Sequence, residues 1–211
     1  MVSNFLPDIK YIYFDFDHFI AQRSIDRSNR LAEIFGLESA NPIRDFYISG
    51  FQKVPNLKNQ YLAIKDASGE QSFYEELFSY FLKSKNIKSD PYVVALATKD
   101  FIKTPFIVFD KVKEFLTNLT KNYKLGILTN GLPSRHQEIK DTGLEDLFSN
   151  IIISSDFQVE KPDHKIYDIA IEKSEMKPDA IALVDDDIAN LDAASEVGFA
   201  QVVLFNDSFW N

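Results

Sequence analysis

The sequence contains no cysteine, which excludes disulfide bonds, thiolate metal sites and cysteine nucleophiles. It also lacks any apolar run long enough to span a membrane. Charged residues such as Asp8 and Lys10 interrupt the N-terminal segment, so we expect no signal peptide there. No repeat, low-complexity segment or Gly/Ser linker occurs. The expectation from these absences is a cytoplasmic protein without a membrane partner.

Positive charge is also scarce, because 23 Lys and Arg residues stand against 32 Asp and Glu, for a net charge of −9. Proteins that bind nucleic-acid polymers need a basic face for phosphate contacts, so we expect no such partner. A small phosphate can still bind where the local charge is positive. Aromatic residues are abundant (19 Phe and 9 Tyr), and 211 residues suffice for a sizeable core, so the chain is predicted to be folded.

The second half of the chain alternates short apolar segments with amphipathic ones. Strands are predicted at residues 125–128, 150–153, 180–184 and 201–205. Near-continuous apolar strands between helices are typical of a parallel sheet covered on both faces. The predicted fold class is therefore α/β, with a doubly wound parallel sheet.

Local signals predict where the intervening helices begin and end. Asp110 is expected to cap one helix, and Ser134 to Gln137 has the spacing of a capping box, with Gly143 as the stop. Asp187 is expected to cap the last helix. The buried face of that last helix is predicted to consist of Ile188, Leu191, Ala194 and Val197.

Residues 21–103 have a different pattern, in which helical spacing dominates and no strand–helix alternation is visible. We predict a helical insertion here, with residues 1–20 and 104–211 forming the α/β domain. A helical layer fixed to that domain is the alternative. The aromatic residues of the insertion are expected mainly to form its own core, and otherwise to offer an apolar wall to a ligand: Phe46, Tyr47, Phe51 and Tyr61.

Polar groups follow three of the predicted strands. Asp15 and Asp17 follow an apolar strand predicted at residues 11–14, Thr129 and Asn130 follow the strand at 125–128, and an Asp pair at 185–186 follows the strand at 180–184. Parallel strands gather the residues at their carboxyl ends into one crevice. Carboxylates crowded there need positive charge nearby. A divalent cation and Lys161 are expected to supply it, and a hard cation with oxygen ligands suits phosphate chemistry.

The order of these motifs resembles that of the haloacid dehalogenase superfamily of phosphohydrolases. The family pattern is an apolar strand with DxD, an apolar strand with Ser or Thr, a Lys, and an apolar strand with DD. The chain is most similar to the helical-capped branch with a TNG second motif. The residues that carry the resemblance are Thr129-Asn130-Gly131, Lys161-Pro162-Asp163, Val184-Asp185-Asp186-Asp187 and Gly198-Phe199.

The resemblance implies a Rossmann-like core, a cap formed by the insertion, and a role for each motif residue. Asp15 would be the nucleophile and a Mg²⁺ ligand, and Asp17 the general acid and base, with its backbone carbonyl on the metal. Thr129, Asn130 and Lys161 would bind phosphate, and the catalytic role of Lys161 would be to offset negative charge on the nucleophile and the phosphate. Asp186 would bind Mg²⁺ directly, Asp185 directly or through water, and Asn190 would hydrogen-bond within the loop.

Two residues depart from the family pattern, since His18 and Phe19 stand where Gly and a Thr or Val are usual. The expected function is Mg²⁺-dependent hydrolysis of a small phosphorylated metabolite, a nucleotide monophosphate or a sugar phosphate, through an aspartyl-phosphate. A phosphomutase or a catalytically weak binding protein is the alternative. A receiver domain fits less well, because its acidic pair precedes its lysine. The oligomeric state is not predicted.

Overall fold

The computed structural model describes residues 5–50, 53–54, 56–88 and 90–205. The chain divides into two compact units. The first contains the described residues up to Gln22 and from Phe106 onward, and the second is Arg23–Pro105. Phe51, one of the aromatic residues predicted to form the core of the insertion, lies outside the described residues. No helix in the described part of the chain is both long enough and apolar enough to cross a membrane.

The first unit is built on a five-stranded sheet in which every neighbouring pair is parallel. The strand order is β5-β4-β1-β6-β7. A separate two-stranded sheet joins β2 to β3. The strands are β1 Tyr11–Phe14, β2 Ala21–Arg23, β3 Phe106–Val108, β4 Lys124–Thr129, β5 Asn150–Ile153, β6 Ile181–Asp185 and β7 Gln201–Leu204.

Ten α-helices are assigned in the described residues, five in each unit. Those of the second unit are α1 Arg27–Ile34, α2 Asn41–Asp45, α3 Leu57–Leu62, α4 Ala67–Ser84 and α5 Pro91–Ile102, with a π-helical turn at Phe46–Gly50. Those of the first unit are α6 Val112–Leu119, α7 Ser134–Asp141, α8 Ser154–Phe157, α9 His164–Ser174 and α10 Ile188–Glu196.

The sheet of the first unit has a buried apolar cluster on each face. Helix α6 packs its buried Val112 and Leu116 into one cluster, together with Ile12 and Phe14 of β1. The other cluster contains Tyr13 of β1 with residues of α9 and α10. Central strands β1 and β6 are buried along their whole length, as expected for a parallel sheet covered on both sides. The predicted α/β fold class is therefore confirmed.

Two predictions about helix starts and one about a buried helix face were wrong. Lys111, in a left-handed conformation, occupies the N-cap of α6 in place of Asp110. Pro133 occupies the N-cap of α7, so Ser134 is its first helical residue and the capping box is not formed. Ile188, predicted to lie on the buried face of α10, is the first residue of that helix and is 61% exposed.

Other signals gave the correct local structure. Gly143 follows α7 with a φ of +66°, a left-handed conformation that glycine adopts without strain. Asp187 caps α10, since its carboxylate accepts a hydrogen bond from the backbone N–H of Ala189 at 2.8 Å. Strands β4 to β7 begin and end within one residue of the predicted positions, whereas the short strands β2 and β3 were not predicted.

The second unit has its own aromatic core. Phe46 is buried, with its ring centroid 5.3 Å from that of Phe81 on α4. Tyr61 of α3 meets Phe73 of α4 edge to face at 5.9 Å. These contacts support the interpretation of the insertion's aromatic rings as its own core.

Candidate active site

Asp15 follows β1 directly and lies at the carboxyl edge of the sheet. Its backbone N–H donates to the carbonyl of Val184 in β6 at 2.9 Å, which extends the pairing of the two strands by one residue. The Asp15 residue is only 8% exposed. The sheet therefore fixes this carboxylate beside the end of β6, where the second acidic pair begins.

Lys161 lies between the two acidic strand ends. Its Nζ donates to Asp15 Oδ1 at 3.0 Å and to Asp185 Oδ2 at 2.5 Å. Its side chain is 1% exposed, and that of Asp185 is fully buried. The structure thus brings Asp15, Lys161 and Asp185 together as predicted from their motifs.

Asn130 holds the backbone of Lys161 from both sides. Its Nδ2 donates to the Lys161 carbonyl at 2.9 Å, and its Oδ1 accepts from the Lys161 N–H at 2.8 Å. This pair of hydrogen bonds fixes the loop that carries the lysine. The side-chain amide is therefore engaged with the lysine loop, which leaves one side-chain N–H and the backbone N–H of Asn130 as the donors that a phosphate could use.

Asp185 is oriented by hydrogen bonds on both of its oxygens. Oδ2 faces Lys161, while Oδ1 accepts from the N–H of Asp187 at 2.9 Å and from Asn190 Nδ2 at 3.0 Å. The predicted loop hydrogen bond of Asn190 is therefore present, and its partner is Asp185.

Thr129 ends β4 and is fully buried. Its Oγ1 lies 3.5 Å from the carbonyl oxygen of Asn130, which is at the limit for a hydrogen bond. Gly131, two residues after Thr129, donates its N–H to Ser154 Oγ at 3.0 Å. A phosphate-binding role for Thr129 stays a prediction.

Burial and like charge govern the ionisation of the carboxylates. Burial raises the pKa of Asp15 to about 6, against the opposing effect of Lys161, and the charges of Asp185 and Asp17 also raise it. Burial, with the charge of Asp185, raises the pKa of Asp186. Burial alone would lower the pKa of Lys161, but Asp15 and Asp185 more than offset this and raise it.

Three of the carboxylates are arranged as a cation site requires. One oxygen from each of Asp15, Asp185 and Asp186 lies within 4.8 Å of the other two. Hard oxygen ligands, with one exposed member to admit waters, match the preference of Mg²⁺. The negative charges of these carboxylates repel one another and raise their pKa values, and a bound divalent cation would reduce that repulsion. The residues present therefore fit Mg²⁺.

Asp17 is oriented differently from the other acids. Its Oδ2 accepts from Arg135 Nη2 at 2.7 Å, and its backbone carbonyl accepts from the N–H of Phe19 at 2.7 Å. The turn between them places His18 at a φ of +61°. The carbonyl of Asp17 as a metal ligand stays a prediction from the family resemblance.

The two departures from the family pattern have different surroundings. Phe19 is fully buried, stacks on Phe14 at 4.9 Å and meets Phe205 edge to face at 5.0 Å. Phe19 thus extends the apolar core below the site. His18 is exposed at the turn.

Arg135 is a residue of the site that sequence reasoning missed. The sequence pattern places it only within a capping box, yet its guanidinium is buried against Asp17. A usable signal was present, because cations are unfavourable in the first turn of a helix. An arginine in that position, with Glu138 one turn later, indicates a negatively charged partner whose attraction exceeds the repulsion from the helix dipole.

Comparison with known proteins identifies the family. The sequence model of the haloacid dehalogenase-like hydrolases matches residues 12–204. The chain belongs to the haloacid dehalogenase-like hydrolase family. This confirms the resemblance inferred from the four motifs, and with it the prediction of a hydrolase.

Individual members of the haloacid dehalogenase-like family support this assignment. A glyceraldehyde 3-phosphate phosphatase of Pyrococcus furiosus is 27% identical over 201 residues, which cover 92% of this chain and 80% of that protein. A pyrimidine 5′-nucleotidase of Escherichia coli is 40% identical over 60 residues, which cover 28% of this chain and 27% of that protein.

A solved structure shares the fold. It is a HAD family enzyme of Bacteroides thetaiotaomicron in complex with magnesium and inorganic phosphate. It matches with a TM-score of 0.63 and 16% identity, covering 92% of this chain and 93% of that one.

Proposed function

We propose that this protein is a Mg²⁺-dependent phosphatase that hydrolyses phosphate monoesters of small metabolites, with Asp15 as the nucleophile. The observation that carries the proposal is the position of Asp15. It is held at a strand end, within hydrogen-bond distance of a buried lysine and among the three carboxylates that fit Mg²⁺. A carboxylate so placed can attack phosphorus.

The first half of the reaction transfers the phosphoryl group to Asp15. A carboxylate oxygen of Asp15 bonds to phosphorus while the bond from phosphorus to the ester oxygen breaks. Asp17 gives its proton to the departing alkoxide, which leaves as an alcohol. The ammonium of Lys161 offsets the charge that gathers on the phosphoryl oxygens.

The second half releases phosphate. Water attacks the phosphorus of the aspartyl-phosphate, and Asp17 accepts the proton that the water loses. The bond between phosphorus and the Asp15 oxygen breaks, so that inorganic phosphate leaves and the Asp15 carboxylate is restored. Splitting a slow hydrolysis in this way gives two easier steps.

The metal would be held by Asp15 and Asp186, with Asp185 as a direct ligand or as a ligand through water. When bound, Mg²⁺ supplies positive charge that orients and polarises the phosphate oxygens. The ion pair with Lys161 already occupies one oxygen of Asp185. Asp186 is the exposed member of the acidic cluster, which suits it to bind the metal directly.

The substrate class that we propose is a sugar phosphate or a nucleotide monophosphate. The support is the activities for which two relatives are named, a glyceraldehyde 3-phosphate phosphatase and a pyrimidine 5′-nucleotidase. We further propose that Arg23–Pro105 is the cap of the enzyme and selects among these esters, since every proposed catalytic residue lies in the other unit.

Phosphate release from a panel of esters tests the proposal. We expect turnover with Mg²⁺, loss of turnover with EDTA, and loss with Asp15→Asn, whose amide is nearly isosteric but a poor nucleophile. Asp192→Asn is the matched control, because Asp192 is exposed on α10, outside the acidic cluster. Normal turnover by a folded Asp15→Asn protein would exclude the mechanism, and a wild type inactive on every ester would favour a binding protein.

A further inference from the structure

Arg135 is a buried cation that the reaction described above does not use. It lies in the first turn of α7, immediately after the loop that follows β4, and is 7% exposed. Its Nη2 donates to Asp17 Oδ2 at 2.7 Å. It therefore contacts the carboxylate proposed as the general acid and base, from a position 118 residues further along the chain.

The guanidinium also packs against groups other than Asp17, although neither its Nε nor its Nη1 makes a hydrogen bond within the described residues. Its Nε lies 3.2 Å from Glu138 Oε2, one helical turn further on. Its central carbon lies 4.8 Å from the ring centroid of Phe16 and 5.0 Å from that of Phe106. A planar cation held between a carboxylate and two rings has little freedom to turn.

This arrangement is costly for a purely structural contact. A buried cation loses its hydration, and an apolar side chain often stabilises such a position equally well. The start of a helix adds further repulsion. The charges of Asp17 and Glu138 more than offset the effect of burial and raise the pKa of Arg135, so the group stays charged.

We propose that Arg135 is a positioning residue that fixes the orientation of the Asp17 carboxylate for proton transfer. By binding Oδ2, it leaves Oδ1 as the oxygen that carries the proton to and from the reacting group. The Asp17 side chain is 35% exposed, so it would otherwise sample several rotamers. The inference rests on the proposed function, because it needs Asp17 to act as acid and base.

The test compares esters with different leaving groups. An alkyl phosphate needs a proton on its departing oxygen, whereas a nitrophenyl phosphate does not. Arg135→Gln is expected to lower kcat/KM on an alkyl phosphate by roughly 10²-fold, the lower end of what general acid catalysis contributes. The loss of kcat/KM on nitrophenyl phosphate is expected to be only a few-fold, because kcat/KM covers the transfer to Asp15 and not the later hydrolysis, in which Asp17 acts as base for both esters. Asp17→Asn should show the same asymmetry.

Two further variants separate positioning from folding. Arg135→Gln removes the guanidinium beside Glu138, so Arg135→Gln is also combined with Glu138→Gln, which restores the net charge, and the asymmetry should persist in this double variant. Arg135→Lys keeps one charged donor and should recover part of the alkyl phosphate activity. Arg30→Gln is the matched control, since Arg30 also pairs with a glutamate three residues later, Glu33 at 3.0 Å, but is exposed.

A double substitution completes the test. If Arg135 acts through Asp17, adding Arg135→Gln to Asp17→Asn should cause no further loss on the alkyl ester. Equal losses on both esters, or additive losses, would overturn the inference and leave Arg135 a structural ion pair. Failure of the proposed function gives a different result, in which Asp15→Asn stays active or Asp17→Asn shows no asymmetry.

Discussion

Lys161 determines the charge balance of the site at the scale of single residues. It is the partner shared by Asp15 and Asp185, and both carboxylates are buried with it. Without the lysine, two buried negative charges would face each other. The lysine is therefore expected to support folding as well as the reaction.

Lys161→Met tests both effects. We expect turnover to fall roughly 10²–10³-fold, as for other preorganised charges at electrostatic sites. We also expect the metal-free protein to lose about 3–5 kcal/mol of unfolding free energy, because the substitution breaks a buried ion pair. Phosphate release and urea unfolding in EDTA measure the two. Lys165→Met, at an exposed lysine on α9, is the control. Activity within a few-fold of wild type would contradict the assignment.

The sequence alone was enough to predict the principal acids and the lysine, because each motif ends a strand or precedes a proline. The side-chain partners were harder to predict. Asn130 binds the backbone of Lys161, and Arg135 binds Asp17, across separations of 31 and 118 residues. Such pairs depend on how the loops pack at the sheet edge, which no local pattern records.

At the scale of elements, close contact between β1 and β4 depends on a residue without a side chain. Gly126 of β4 faces Tyr13 of β1, whose single hydroxyl proton is shared between Asn150 Oδ1 at 2.9 Å and the carbonyl oxygen of Ala170 at 2.8 Å. These bonds anchor the ring. A Cβ at position 126 would lie 2.6 Å from a carbon of that ring.

Gly126→Ala is therefore expected to destabilise the protein by about 1–3 kcal/mol, through overpacking that displaces Tyr13. Gly69→Ala is the matched control. A Cβ at position 69 of α4 would have its nearest neighbouring atom at 3.6 Å, and alanine favours the helix by about 0.5–1 kcal/mol. Urea unfolding of both variants gives the comparison. If both were equally stable, the ring would have more freedom than its hydrogen bonds imply.

The strands of the five-stranded sheet could be predicted from the hydrophobic pattern, whereas β2, β3 and some of the helix ends could not. Strands β4 to β7 match apolar runs that are visible in the sequence. The start of α6 was misplaced because Lys111 adopts a left-handed conformation that no residue preference predicts. The exposure of Ile188 was not predicted, because helical spacing shows which residues share a helix face but not how far along the helix that face is covered.

At the scale of the whole molecule, the acidic cluster couples folding stability to pH and to metal. The folded protein binds a proton on Asp15 more tightly than the unfolded chain does, since burial raises its pKa from 3.8 to about 6. Ionisation of this group therefore favours unfolding. The raised pKa of Asp186 acts in the same direction.

The metal-free protein is thus expected to lose stability as the pH rises from about 4 through about 6, by on the order of 1–3 kcal/mol. Asp15→Asn should flatten this fall, since the amide does not ionise. Excess Mg²⁺ should restore the wild type at neutral pH, because an ion that binds only the folded state at 100 times its Kd adds about 2.7 kcal/mol. Urea unfolding in EDTA and in Mg²⁺ across this pH range provides the measurement, with Asp192→Asn as the control for loss of one exposed charge. Parallel pH profiles for wild type and Asp15→Asn in EDTA would show that ionisation of Asp15 does not cause the loss of stability. If Mg²⁺ stabilised Asp186→Ala as much as wild type, the cation would have to bind elsewhere.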